Sequence, residues 1–249
     1  MSPPLSPLEM SVATADGVIL KGILAYPETA PGTRYPLAVL AHQYPATGDS
    51  FGPLLDDLLD LGIATLAFDL RGHGASTTGP AGPVVIETPH GFGLEPFGKA
   101  FMASIESVGF HRIDDDILRV AGWGAAQNFV DASRMLLIGA SIGASGALLA
   151  APRVPGLKGL MTFGAAGAPA FGDDAPARIR KALEGLKASC YLASSEGDPF
   201  SGADNVRSWS AGLGHVASRL VPGDDHGMAI YYGVRDEVLA FIKKLKIVD

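Results

Sequence analysis

The chain has 249 residues, of which 47% are apolar and 18% are charged, and its mean hydropathy is +0.25. This composition excludes an intrinsically disordered chain, because disorder requires low hydrophobicity combined with high net charge. The length favours one large domain over two small ones, so we expect a single domain spanning residues 1–249.

The charge balance argues against two classes of partner. Acidic residues outnumber basic ones by 26 to 19, which gives a net charge of −7 without any run rich in Lys or Arg. Counterion release therefore cannot drive binding, and we expect no nucleic-acid partner. No apolar stretch reaches the roughly 20 residues that a membrane span requires, and residues 1–10 lack the features of a secretory signal. Together with the lone Cys190, these features predict a cytoplasmic location. The oligomeric state, monomer or small homo-oligomer, stays open.

The predicted elements begin with a hairpin and continue as an alternating pattern. Residues 8–14 and 18–26 are predicted as half-buried strands joined by a turn at Asp16 and Gly17. Short apolar runs then alternate with helical segments, which is typical of parallel strands covered on both faces. The predicted strands are 37–41, 63–68, 135–139, 157–163, 188–193 and 216–221; the predicted helices are 53–61, 114–129, 142–151, 176–186, 203–213 and 228–246. The sequence therefore predicts an α/β fold with a mostly parallel central sheet, helices on both faces and an N-terminal antiparallel hairpin.

Residues 76–112 interrupt the alternation. This segment is rich in Gly and Pro and carries Phe92, Phe97, Phe101 and Phe110 without a clear periodicity. A stretch of this length inside a compact domain is usually functional. Two interpretations stay open: a lid or binding rim, or a surface excursion whose aromatic rings turn inward.

The most informative motif is Gly139-Ala140-Ser141-Ile142-Gly143. An apolar strand precedes it and a helix of small residues follows, which is the context of a nucleophile elbow. Ser141 is then expected at the positive end of a helix, with the Ile142 backbone N–H directed at a developing oxyanion. A tight turn that needs glycine only for packing is the alternative, and the strand and helix on either side favour the nucleophile.

A serine nucleophile needs a base and an acid farther along the chain. His226 lies in the loop between the last predicted strand and the last helix, and Asp198 lies just after the strand predicted at 188–193. Glu196 is the alternative acid. All three candidates, Ser141, Asp198 and His226, follow strands of the predicted parallel sheet, so we expect them at one edge of that sheet.

With these residues in place, the sequence resembles the α/β-hydrolase superfamily over nearly its whole length. The turn Asp69-Leu70-Arg71-Gly72-His73-Gly74-Ala75-Ser76 is similar to that superfamily's D-x-R-G-H-G-x-S turn. Where the superfamily commonly has H-G-x after a strand, this chain has His42-Gln43-Tyr44. The resemblance implies that the Tyr44 amide is the second oxyanion donor, with Gln43 as the alternative. The absence of an inserted cap in the predicted pattern is similar to small esterases and dienelactone-hydrolase-like members.

The sequence thus predicts a serine hydrolase of carboxylic esters with short, medium or aromatic acyl groups, acting on a small-molecule substrate without a cofactor or a metal. Phe200, Trp123 and Met228 are the predicted substrate-lining residues. His73 is interpreted as structural, and Cys190 as a small buried hydrophobe. The alternatives are an acyltransferase, thioesterase, lactonase or perhydrolase with the same triad, or a ligand-binding homologue without turnover.

Overall fold

The computed structural model describes residues 5–27, 32–91 and 93–248. The strands in this part of the chain are β1 (Leu5–Ala13), β2 (Ile19–Pro27), β3 (Tyr35–Ala41), β4 (Ala64–Phe68), β5 (Thr78–Gly79), β6 (Gly82–Pro83), β7 (Val130–Ala140), β8 (Leu157–Phe163), β9 (Ser189–Ser195) and β10 (Val216–Val221). The helices are α1 (Pro53–Asp60), α2 (Leu94–Ser104), α3 (Ile113–Ala125), α4 (Ile142–Ala150), α5 (Ala175–Gly185), α6 (Gly202–Ser210) and α7 (Tyr231–Lys244).

One mixed sheet organises the fold, in the order β10-β9-β8-β7-β3-β4-β2-β5-β6, with β1 paired to β2. The strands from β10 to β4 are parallel, whereas β2 is antiparallel to both β4 and β1. The predicted hairpin is confirmed, and its turn is closed by a hydrogen bond from the Gly17 N–H to the Thr14 carbonyl at 3.1 Å. The predicted fold class is therefore confirmed.

Helices cover both faces of the sheet, which explains why its central strands are continuously apolar. In β3 all seven residues are buried. Leu37 and Val39 pack into one apolar cluster with side chains of α3 to α6, while Ala38 and Leu40 pack into a second cluster with α1 and α7. Successive strand residues point to opposite faces, so both sets of side chains must be apolar when both faces are buried.

Several predicted boundaries are wrong because tertiary contacts decide them. Strand β7 begins at Val130, five residues before the predicted start, since Val130 pairs with Tyr35 across a register shift. Helix α3 ends at Ala125 instead of residue 129. The helix predicted at 228–246 is divided into a 3₁₀ turn, Gly227–Ile230, and α7.

Within the described residues, no helix is both long and apolar enough to cross a bilayer.

The segment 76–112 contains a helix that the sequence pattern did not indicate. Helix α2 continues through a π-helical turn, Ile105–Gly109, and a 3₁₀ turn, Phe110–Arg112. Pro96 lies in the first turn of α2, where the missing N–H is tolerated, and Gly98 follows it. These two residues obscure the helical periodicity. Phe92, one of the four phenylalanines of the segment, lies outside the described residues.

Candidate active site

The nucleophile elbow is shaped by close backbone contacts. Ser141 lies between β7 and α4 with φ 52° and ψ −119°, a conformation that non-glycine residues rarely adopt. A Cβ added to Gly139 would lie 2.5 Å from the Ala144 Cα, and one added to Gly143 would lie 2.2 Å from the Ala41 carbonyl oxygen. Real Cβ atoms do not approach backbone this closely. The elbow therefore requires glycine on both sides of Ser141, as the motif predicts.

Hydrogen bonds from two neighbouring segments fix the Ser141 backbone. Its N–H donates to the Phe163 carbonyl at 3.0 Å, at the end of β8. Its carbonyl accepts from the Ala144 N–H at 3.0 Å and from the Ala166 N–H at 3.2 Å. The elbow is thus held by both α4 and the loop after β8, which keeps the strained turn in place.

The structure brings Ser141, His226 and Asp198 into one hydrogen-bonded chain. His226 Nε2 lies 2.8 Å from Ser141 Oγ, and His226 Nδ1 lies 2.9 Å from Asp198 Oδ2 and 3.0 Å from Oδ1. With Nδ1 donating to the ionised carboxylate, Nε2 is left to accept the serine proton. Glu196, the alternative acid, is exposed and does not contact His226. The hydroxyl thus has a base within hydrogen-bonding distance, and the base has an orienting carboxylate.

Asp198 is held in its ionised form despite its burial. Its side chain is 0% exposed, and burial alone would raise its pKa. Hydrogen bonding and charge attraction from His226, together with the Phe200 N–H at 2.8 Å and the Ser194 hydroxyl at 3.0 Å, outweigh burial and lower the pKa. A Cβ on Gly202 would lie 2.4 Å from Asp198 Oδ2, so glycine makes room for the carboxylate.

The loop that carries His226 is supported by residues that the sequence interpretation missed. The Ser195 hydroxyl donates to the Asp225 carbonyl at 2.5 Å. Gly164 follows β8 with φ 56°, and a Cβ there would lie 3.0 Å from both Asp198 Oδ2 and His226 Nδ1. A glycine directly after the strand next to the nucleophile strand is the signal that could have identified this position.

The second expected oxyanion segment, residues 42–44, lies against the elbow. A Cβ on Gly143 would approach the carbonyl oxygens of both Ala41 and His42, so the end of β3 contacts the first turn of α4. The buried His42 ring accepts the Leu70 N–H at 2.9 Å through Nε2 and donates from Nδ1 to the Gln43 carbonyl at 2.8 Å. Burial lowers its pKa to about 3, so the ring is neutral and braces this loop.

The expected donors in this region belong to adjoining segments. Ile142 is the first residue of α4, where a backbone N–H has no acceptor within its own helix. Tyr44 is buried in the loop after β3, and its hydroxyl donates to the Glu87 carbonyl at 2.5 Å. The Gln43 side chain is engaged elsewhere, because its Oε1 accepts the Met228 N–H at 2.8 Å.

The D-x-R-G-H-G turn is a structural junction. Asp69 accepts the N–H groups of Gly48 at 2.9 Å and Ala75 at 2.8 Å. Buried Arg71 pairs with Asp116 at 2.6 Å and with Asp16 at 3.0 Å; burial opposes its charge, but these partners raise its pKa overall. The turn thereby joins the N-terminal hairpin to α3.

Aromatic rings form a wall above the triad. The Phe200 ring lies 4.6 Å from the His226 ring and 4.9 Å from the Phe97 ring. Phe97 and Phe101, both on α2, each lie 5.3 Å from the Tyr44 ring. Ser141 itself is 9% exposed. The Phe97 and Phe101 rings of α2 thus pack inward against Tyr44, and Phe97 also contacts Phe200 beside His226.

The structure places two predicted substrate-lining residues, Trp123 and Met228, in two different apolar clusters. Trp123 lies in the last turn of α3, beside Gly124, which contacts the side chains of Leu37 and Leu66. Leu37 is near the start of β3, whereas the triad follows the strand ends. The direction of α3 therefore places the helix turn that carries Trp123 near the start of β3. The Met228 side chain is buried in the cluster of α1 and α7, and its backbone N–H donates to Gln43 Oε1.

The metal-binding residue types do not gather in this structure. Within the described ranges, no group of three or more His, Cys, Asp or Glu side chains is placed to hold a metal ion. Cys190 lies in β9, and burial raises the pKa of its thiol to about 12.

The comparisons with known proteins define the fold class. No protein-family model and no curated protein matches the chain. A Klebsiella pneumoniae subsp. pneumoniae structure described as a dienelactone hydrolase superposes with a TM-score of 0.71 at 17% identity, covering 96% of this chain and 99% of that one. An esterase from Pyrococcus furiosus gives 0.65 at 15% identity, covering 98% and 96%. Acetyl xylan esterase from Paenibacillus sp. R4 gives 0.64 at 21% identity, covering 96% and 84%. The chain therefore has the α/β-hydrolase fold.

Proposed function

We propose that the protein is a serine hydrolase that cleaves carboxylic esters through an acyl-enzyme. The observation that carries the proposal is the chain of contacts from Ser141 Oγ to His226 Nε2 at 2.8 Å and from His226 Nδ1 to Asp198 at 2.9 Å. Ser141 lies on a strained turn that requires Gly139 and Gly143 on either side. Fold alone does not define chemistry, but a base, an orienting carboxylate and a positioned hydroxyl together support nucleophilic attack by Ser141.

In the first half-reaction, Ser141 Oγ attacks the ester carbonyl while its proton passes to His226 Nε2. The carbonyl oxygen becomes an oxyanion, for which the Ile142 and Tyr44 backbone N–H groups are the proposed donors. The tetrahedral intermediate then breaks its bond to the alcohol, which leaves with the proton from His226. Asp198 stabilises the imidazolium throughout and stays ionised.

In the second half-reaction, water replaces the alcohol. His226 takes a proton from the water, and the resulting hydroxide attacks the acyl-enzyme carbonyl. The second tetrahedral intermediate collapses, the bond to Ser141 Oγ breaks, and His226 returns the proton to the serine. The product is a carboxylic acid, and the enzyme is restored.

The wall above the triad supports an apolar substrate. Phe97, Phe101, Phe200 and Tyr44 present aromatic rings there, and such linings suit acyl chains of short or medium length and aromatic esters. The structural neighbours include two esterases and a dienelactone hydrolase, and they support the same bond class. We further propose that residues 1–249 form a single domain in which α2 is the rim of this site.

The test is covalent labelling with a fluorophosphonate, read by peptide mass, together with hydrolysis of p-nitrophenyl acetate and butyrate. We expect one adduct on Ser141, and a Ser141→Ala variant whose kcat falls at least about 10³-fold. Ser133→Ala is the control, because Ser133 is an exposed serine at the other end of β7. Parent-rate hydrolysis by Ser141→Ala would refute the proposal, and the absence of an adduct would favour a ligand-binding protein instead.

A further inference from the structure

The Gln43 side chain bridges two loops that belong to distant strands. Gln43 follows β3, and its Oε1 accepts the N–H of Met228 at 2.8 Å in the loop after β10. In the sheet order, β9, β8 and β7 stand between β10 and β3. One side chain therefore links the loop that carries Tyr44 to the loop that carries His226, across the edge at which Ser141 lies.

The contact is close enough to shape the second loop. Gly227 has φ 61°, and a Cβ on it would lie 2.2 Å from Gln43 Oε1 and 2.6 Å from Gln43 Cδ. On its other side, the Gly227 nitrogen would lie 2.7 Å from a Cβ on Gly164. The backbone immediately after His226 is thus confined between the Gln43 amide and the end of β8.

His226 is anchored on both sides in the chain. Before it, the Asp225 carbonyl accepts the Ser195 hydroxyl, which fixes the loop to β9. After it, the Met228 N–H donates to Gln43, which fixes the loop to β3. The first anchor is supplied by β9, the strand that Asp198 follows. The second anchor is supplied by the loop after β3, which also carries Tyr44.

We infer that Gln43 is a positioning residue that couples the base His226 to the oxyanion loop. The inference rests on the proposed function and deepens it. The Gln43 main chain belongs to the loop that presents the Tyr44 amide. Its side chain fixes the position of the loop that carries His226, through the hydrogen bond to the Met228 N–H. The departure from the H-G-x pattern thereby acquires a function, because a glycine at position 43 has no side chain with which to reach Met228.

This coupling acts on the reacting geometry more than on substrate binding. Displacement of a base by a fraction of an ångström weakens proton transfer, while the aromatic wall that holds the substrate is unchanged. Loss of the Gln43 acceptor is therefore expected in kcat, with KM preserved.

The experiment compares Gln43→Met, which keeps the side-chain length without the acceptor, with Gln43→Glu, which keeps an acceptor oxygen. Hydrogen exchange at the Met228 amide and steady-state hydrolysis of p-nitrophenyl butyrate are measured on the full chain. In Gln43→Met we expect exchange to become at least about tenfold faster, and kcat to fall about tenfold with KM within about twofold. In Gln43→Glu we expect the Met228 amide to be protected again.

Gln127→Met is the matched control, because the Gln127 side chain donates to the Trp123 carbonyl at 2.9 Å on α3, away from the triad. It should leave both kcat and Met228 exchange unchanged. A Gln43→Met variant with parent kcat, or with parent exchange at Met228, overturns the inference. A lower melting temperature with unchanged kcat per folded molecule also overturns it. A wild-type chain that neither turns over nor labels at Ser141 refutes the proposed function instead, while the exchange measurement still tests the bridge.

Discussion

The elbow and the aromatic segment 76–112 meet at the same site but are held in different ways. At the elbow, main-chain atoms are in close contact: Gly139 packs against Ala144, and Gly143 packs against the carbonyls at the end of β3. In the aromatic segment, α2 rests on the site through rings, with Phe97 and Phe101 each 5.3 Å from Tyr44. Backbone contacts in a packed sheet cannot yield, whereas rings can repack.

This difference explains why the elbow could be predicted from the sequence, whereas the structure of the aromatic segment could not. A position where only glycine fits imposes a fixed residue pattern, so the elbow appears as a motif. Ring packing accepts many arrangements and residue types, so the aromatic segment shows no comparable pattern. Under the proposed function, the elbow determines whether hydrolysis occurs, and α2 determines which ester enters.

The largest expected effect comes from Gly143→Ala. Its Cβ would lie 2.2 Å from the Ala41 carbonyl oxygen, between two elements that cannot separate without disturbing the sheet. We expect the free energy of unfolding to fall by about 3 kcal/mol, measured by urea denaturation. Gly98→Ala in α2 is the control, because an added Cβ there meets no described atom within 4 Å. It should gain roughly 0.5–1 kcal/mol. Equal losses in both variants would contradict the comparison.

The next effect concerns selectivity. Phe97→Ala removes a ring that contacts Tyr44, Phe101 and Phe200 above the triad. We expect the ratio of kcat/KM for p-nitrophenyl octanoate to that for the acetate to rise at least about fivefold, since the opened space admits a longer chain. Phe129→Ala, which removes a ring stacked on Tyr26, is the control and should leave the ratio unchanged. An unaltered ratio in Phe97→Ala would remove α2 from the substrate site.

The smallest effect concerns the anchor at the end of the aromatic segment, where Arg71 also donates to the Val108 carbonyl at 3.3 Å. The Arg71 hydrogen bond holds the pKa of Asp16 below its usual value, although burial opposes it. A carboxyl with a lowered folded-state pKa stabilises the fold fully above its unfolded pKa of about 3.9, and this stabilisation is lost as the pH falls. Asp16→Asn should therefore cost about 1 kcal/mol at pH 7, with the deficit beginning to shrink below about pH 4 and closing only as the pH falls through the lowered folded-state pKa.

Unfolding measured by urea at pH 7, pH 4 and pH 2 tests this sign, because the deficit should shrink between pH 4 and pH 2. Asp174→Asn serves as the control, since its ion pair with Arg178 is 3.4 Å long and mostly exposed, and it should change stability by less than about 0.5 kcal/mol. A deficit in Asp16→Asn that is as large at pH 2 as at pH 7 would show that the Arg71 pairing is not its source.

The sequence was sufficient to predict the layered architecture and the candidate triad. Strands buried on both faces must be apolar throughout, so β3 and β8 are visible as runs. Ser141 follows from the elbow pattern, and Asp198 and His226 follow from the rule that parallel strands end at one edge. Helix α2 was missed because Pro96 and Gly98 suppress its local signal, although packing of its rings stabilises it.

The supporting residues could not be predicted because they depend on strand order. That β3 lies next to β7, and that its loop reaches the loop after β10, results from long-range pairing that no local pattern encodes. Gln43 and Gly164 acquire their contacts only from that order. The position of Trp123 also depends on long-range structure, since the direction of α3 decides which edge of the sheet this residue approaches.

Because Cys190 is buried, the native chain is expected to react little with thiol-specific reagents. Cys190 is the only cysteine in the sequence, and its thiol is 0% exposed with a pKa raised to about 12, so reactive thiolate is scarce at neutral pH. A cysteine introduced at Met102, which is 63% exposed on α2, would then react alone with a maleimide dye. The aromatic segment can thus be followed by fluorescence during turnover without first removing a native thiol.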